Sequence, residues 1–91
     1  MTKTFTVNIQ NHTYNPDRSV ITVGDSIVWK NNDHMNHTAT RDEDPVFNTG
    51  TLKPGNISEP VTFASPTSDE GLEYYCKPHP EMKGIIIVNN E

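Results

Sequence analysis

An all-β sandwich is the fold this sequence predicts, and three observations predict it. Apolar residues occur in short runs, several with the period-two alternation of a half-buried strand. Turn formers punctuate those runs, with seven prolines, five glycines and many asparagines among 91 residues. The spacing leaves room for short strands and loops but not for long helices.

Phe5, Val7 and Ile9 alternate with Thr6, Asn8 and Gln10 and form the first strand. His12 to Arg18 reads as a loop with a turn at Asn15-Pro16-Asp17. Val20 to Val23 and Ser26 to Lys30 are β-rich runs joined at Gly24-Asp25, where glycine offers the positive φ of a tight reversal. Trp29 shares a face with Ile27 and belongs in the core. Asn31 to Asn36 is a polar loop leading into the strand-like piece His37 to Thr40. Residues 41–56 are loop-rich, with turns at Gly50 and Pro54-Gly55. Val61 to Phe63 reads as a strand and Ser65 to Gly71 as a polar connection. Leu72 to Tyr75 is the next strand, and Gly84 to Val88 is a last apolar one suited to a sheet interior. Some seven to eight short strands at this spacing make a sandwich, expected as a single domain over residues 1–91.

Composition removes several function classes. The net charge of −5 leaves no concentrated basic patch to neutralise phosphates, which argues against nucleic acid as a partner. No apolar run approaches the ~20 residues of a membrane span. No basic start followed by an apolar stretch marks a signal peptide, so a cytosolic chain and one that has lost a leader both stay open. A lone cysteine forms no internal disulfide and is therefore buried, reactive or metal-bound. Only 32% of residues are hydrophobic, and in so short a chain a bound metal adds usefully to stability.

The chemistry concentrates near the C-terminus, in Tyr74-Tyr75-Cys76-Lys77-Pro78-His79-Pro80-Glu81-Met82-Lys83-Gly84. The spacing is C-x2-H-x2-M, and a further histidine, His37, lies well upstream. One thiolate, two imidazoles and one thioether are the donors of a blue-copper electron-transfer site, trigonal His2Cys with a weak axial Met. Thiolate and thioether favour soft Cu(I), while imidazole serves both oxidation states. Cys76, His37 and His79 are thus the expected trigonal ligands and Met82 the axial one, for one copper per chain. Pro80 biases His79 away from the helical region and Pro78 fixes its own φ, so the segment is pre-bent.

These residues resemble those of the cupredoxins, within the plastocyanin and amicyanin group. The similarity runs from Tyr14-Asn15-Pro16 through Val23-Gly24-Asp25-Ser26-Ile27-Val28-Trp29-Lys30-Asn31, then His37-Thr38, then Phe47 to Gly55, and lastly the ligand segment. The two-residue gap between His79 and Met82 is like that of amicyanin. The resemblance implies a Greek-key sandwich with copper near one end and a partly exposed His79 as the electron port. It implies redox proteins docking near His79, a monomer, and a periplasmic or otherwise extracytoplasmic setting. The chain departs from its relatives in placing Asn36 and Thr38 around His37, where Pro and Asn often stand. The second of those positions commonly braces the cysteine loop, so the Thr38 hydroxyl is the group to examine.

Other readings compete with the carrier. A copper-trafficking or sensory protein would show exposed thiols or methionine clusters, and neither occurs. A multicopper or nitrite-reducing enzyme needs further histidine-rich sites, and four histidines cannot supply them. His34 could join a zinc site with Cys76 and His79; it and His12 read instead as solvated loop residues. Met35, with Pro78 and Pro80, could rim a docking face. The acids Asp42, Glu43 and Asp44, and Asp69, Glu70 and Glu73, read as solvated surface that could steer a basic partner. The N-x-S/T sequons at Asn11, Asn36 and Asn56 read as chance in an asparagine-rich chain.

Overall fold

A computed structural model describing residues 2–90 contains nine strands in two sheets. They are β1 (Thr4–Gln10), β2 (Thr13–Asn15), β3 (Arg18–Thr22), β4 (Ser26–Asn31), β5 (Thr40–Arg41), β6 (Phe47–Asn48), β7 (Val61–Thr62), β8 (Leu72–Cys76) and β9 (His79–Asn89). One sheet has the order β2-β1-β4-β7 and the other β3-β9-β8-β5-β6. The expected all-β Greek-key sandwich is therefore what forms. The count passes seven to eight because pieces as short as β2 and β6 carry too few residues to show a period.

The alternation in β1 does what period two requires: Val7 and Ile9 are fully buried, while Phe5 at the strand's start stays 38% exposed. In β4 the inward set is Ile27, Trp29 and Asn31. Trp29 stacks on Phe47 with ring centres 5.4 Å apart and meets Tyr74 edge-on at the same distance. Phe63 and Tyr14 extend this aromatic cluster from either side. Burying each such ring contributes about 1.5–3 kcal/mol, so the cluster is the main fastening between the sheets.

Three local features differ from the sequence expectation. Gly24, at φ 95°, turns the chain as anticipated, but the turn carries it from one sheet to the other and closes no hairpin. The reason is pairing: β3 lies parallel to β9, whereas β4 lies parallel to β1. The Asp25 carboxylate secures this crossing by accepting the backbone N–H groups of Lys3 at 2.8 Å and Thr22 at 3.0 Å.

The second difference is at residues 11–15. Instead of a long loop, β1 and β2 form a hairpin whose two-residue turn is Asn11-His12, with φ of 54° and 58°. Positive φ at both positions is the mark of the tightest hairpin turn, which Asn-Gly usually announces. Histidine in place of glycine hides that signal.

The third concerns the segment after Cys76. It is a hairpin turn at Lys77-Pro78, with Cys76 paired to His79 and β9 running unbroken from there. The strand thus begins five residues before the expected Gly84. The β8–β9 register slips between Tyr75 and Cys76, an irregularity of the kind that re-aims side chains beside a site. Among the described residues no helix is long and apolar enough to cross a membrane.

Candidate metal centre

Cys76 ends β8 with no exposure, and its Sγ is the point on which the neighbouring donors converge. His37 Nδ1 lies 3.5 Å from it and His79 Nδ1 lies 3.7 Å from it. The backbone N–H of Thr38 points at the same sulfur from 3.4 Å.

His37 is held by backbone and side chain at once. Its N–H donates to the Leu52 carbonyl at 3.1 Å and its own carbonyl accepts from the Leu52 N–H at 2.8 Å. The imidazole has no exposure, and its Nε2 is 2.8 Å from Asp33 Oδ2. A carboxylate can only accept, so this bond requires a proton on Nε2 and leaves the Nδ1 lone pair free toward Cys76. Three donors keep the Asp33 carboxyl ionised: the His12 backbone N–H, the His34 backbone N–H and the His37 ring. Together they hold it down at about 2.

Asn31 builds the loop in which Asp33 sits. Fully buried, it donates to the carbonyls of Met35 and Leu52, each at 2.8 Å, and accepts the Asp33 N–H at 2.9 Å. All of its hydrogen-bonding atoms are engaged, which is what a buried amide requires. On the opposite side Tyr14 donates its hydroxyl to the Thr38 carbonyl at 2.5 Å. Burial, helped by nearby Cys76, pushes the Tyr14 phenol well above its ordinary range, so it remains a donor.

His79 opens β9 and is half-buried. Its ring centre lies 5.0 Å from that of His37. His12, at the tip of the β1–β2 hairpin, sits edge-on to His79 at 4.8 Å and to His37 at 5.3 Å. One ring nitrogen from each of these three histidines lies within 4.8 Å of the other two. Met82, further along β9, is buried in the same cluster as Cys76.

The donor spacing suits a metal. Metal–thiolate and metal–imidazole bonds of about 2.3 and 2.0 Å, opened by roughly 110–120°, separate S from N by about 3.5–3.7 Å. Both measured S···N separations fall there. Two imidazoles, a thiolate and a buried thioether are soft to borderline donors, the chemistry of one type 1 copper ion.

Of the residues singled out from sequence, Cys76, His37 and His79 are brought together and Met82 is buried in the same cluster. His34 and Met35 are exposed on the loop, and His34 stands outside the histidine cluster. Asp33, Asn31 and His12 were not foreseen. A carboxylate four residues before a candidate ligand is the only signal the sequence offered for any of them.

Comparison with known proteins bears on this geometry. Residues 1–89 match the family described as copper binding proteins, plastocyanin/azurin family. An oxidised proline-to-glycine variant of amicyanin is similar in structure, with a TM-score of 0.84 and 22% identity over 93% of this chain and 81% of that one. A reduced tryptophan-to-tyrosine variant of amicyanin gives 0.83 and 23%, over 92% and 80%. A purple cupredoxin from Nitrosopumilus maritimus gives 0.80 and 25%, over 92% of this chain and 98% of that one. No curated protein sequence matches the chain.

Proposed function

The chain belongs to the plastocyanin/azurin family of copper-binding proteins, and from that membership we propose that it is a small carrier of single electrons between redox proteins, with no substrate turnover. The observation that carries the reading is the convergence of His37 Nδ1 and His79 Nδ1 on Cys76 Sγ. His37, Cys76 and His79 are the proposed trigonal ligands and Met82 the axial one, in a single domain spanning 1–91. Copper bound there would supply a Cu(II)/Cu(I) couple.

The protein's own residues divide the work. Cys76, shielded from solvent and facing the Thr38 N–H, supplies the thiolate. His37 is fixed at Nε2 by Asp33, keeps Nδ1 free toward Cys76 and holds the inner wall. His79, half-buried at the start of β9, is the group a partner reaches, so docking is expected on the surface around it. A carrier needs weak, short-lived docking, and a small face suffices for that. The resemblance supports an extracytoplasmic setting, and the same role favours a monomer.

The test is a Cu(II) titration followed by visible absorption and electron spin resonance, then ascorbate reduction and reoxidation. An intense thiolate-to-copper band saturating at one equivalent, bleached and restored reversibly, is the expected result. A pale signal, or oxidation of Cys76 without a stable chromophore, overturns the carrier and favours copper trafficking.

A further inference from the structure

A single carboxylate reaches both His37, the buried histidine of the site, and His12 at the hairpin tip. Asp33 Oδ2 accepts the His37 Nε2–H at 2.8 Å and the His12 backbone N–H at 3.0 Å, and it lies 3.7 Å from His12 Nδ1. Oδ1 accepts the His34 N–H at 2.9 Å. The Asp33 N–H is itself held by buried Asn31 at 2.9 Å. Its side chain is only 8% exposed. Rotating this carboxylate away would break several bonds at once, so its placement is rigid.

Two consequences follow from elementary chemistry. An acceptor at Nε2 selects the tautomer whose Nδ1 lone pair faces Cys76, and a charged acceptor makes that nitrogen a stronger donor. A stronger donor beside a negative charge favours the more highly charged state of a bound metal. The same carboxylate pins the hairpin tip, where His12 carries φ 58° and its ring stands edge-on to His79. The inner histidine and the histidine packed edge-on against the outer one thus share one fastening.

We propose that Asp33 is a positioning residue of the metal centre, which fixes His37 as an Nδ1 donor, biases the site toward oxidised copper and holds His12 against His79. The inference rests on the reading of His37 as a copper ligand.

Asp33→Asn keeps the shape and an acceptor but removes the charge, Asp33→Ala removes the acceptor, and Glu59→Gln neutralises an exposed carboxylate on the loop before β7 as a control. Two readouts are needed: the reduction potential of the copper-loaded protein, and the His37 Nε2–H resonance of the metal-free protein. Loss of a metal-directing partner weakens binding 10–100-fold. At the low end, a tenfold loss for Cu(II) over Cu(I) in Asp33→Asn raises the potential by about 59 mV. Glu59→Gln is expected to leave it nearly unchanged. In metal-free protein the Nε2–H signal exchanges slowly in wild type and Asp33→Asn, and is lost to exchange in Asp33→Ala.

A potential in Asp33→Asn matching the control, or a His37 signal indifferent to Asp33→Ala, overturns the proposal. A wild type that forms no blue band removes the carrier reading instead. The metal-free resonance then still decides whether Asp33 sets the His37 tautomer.

Discussion

The Thr38 hydroxyl accepts the Lys77 backbone N–H at 3.0 Å, tying the residue after His37 to the residue after Cys76. Thr40 Oγ1 donates to Asn48 Oδ1 at 3.1 Å, so its only hydroxyl proton is committed there. The 2.9 Å contact between Thr38 and Thr40 must then be donated by Thr38. A directed relay results, from Lys77 through Thr38 and Thr40 to Asn48. The role that asparagine often plays in relatives is here filled by a threonine. Thr38→Val removes both of its hydroxyl bonds at nearly constant volume and should cost about 1–2 kcal/mol. Thr38→Ser should recover most of the loss. Thermal denaturation of the three metal-free proteins checks this, and a Thr38→Val midpoint equal to wild type would contradict it.

Gly84 is required by packing and not by backbone conformation. It is paired with Tyr74 across the β8–β9 ladder, and a Cβ built on it would overlap the tyrosine ring and hydroxyl. That ring cannot retreat, because Tyr74 is 1% exposed and accepts the Trp29 Nε1–H at 3.2 Å amid Tyr14 and Phe47. Gly84→Ala is therefore expected to destabilise by about 1–3 kcal/mol, as overpacking does. A second change, Tyr74→Leu, frees the space. The double variant should lose less than the sum of the single losses, and strict additivity in denaturant titrations would refute the clash.

What could be read in advance divides along physical lines. That Cys76 and His79 come together, with Met82 buried in the same cluster, was legible because donor types at fixed spacing have few other uses, and β1 because Val7 and Ile9 alternate over a long enough run. The His12 hairpin was hidden by an absent glycine, and the unbroken β9 by Pro78, Pro80 and Lys83, which read as loop. Pro78 lies in the turn, and Pro80 and Lys83 are exposed on the strand. Asp33 left only its four-residue spacing from His37 as a signal: its importance comes from three-dimensional contact with His37 and His12, and an Asn-Asn-Asp-His stretch looks like any solvated loop. Asn31 shows the same limit, since a polar residue alternating correctly in β4 gives no sign that it is buried.

Acid should weaken the fold through Asp25. The Thr22 N–H and then the Lys3 N–H are the largest causes holding its carboxyl below the ordinary range. A carboxyl whose folded value is depressed binds protons more readily when unfolded. Its contribution is complete above the unfolded value near 3.9 and is lost as pH falls from there toward the lower folded value. Melting temperature should thus drop as pH is lowered through about 4. Asp25→Asn, which has no charge to lose, should be less stable at neutral pH and show a shallower acid dependence. Parallel curves for the two proteins would mean that other carboxylates carry the effect.

Copper should stabilise the folded chain according to which donors hold it. A ligand that binds only the native state adds RT ln(1 + [L]/Kd), about 4 kcal/mol at a thousandfold excess over Kd. For a chain of this size that corresponds to a rise of some 16–32 °C in melting temperature, taking about 4–8 °C per kcal/mol. Cys76→Ser exchanges a soft thiolate for a hard hydroxyl at the point where both imidazoles converge, and should forfeit most of the rise. Met82→Leu removes only a weak axial donor from a position that is already apolar and buried, so most of the rise should remain. Paired melts with and without one equivalent of copper make the comparison. A Cys76→Ser protein that keeps the full increment would place the metal elsewhere, with the His12, His37 and His79 cluster the first alternative to examine.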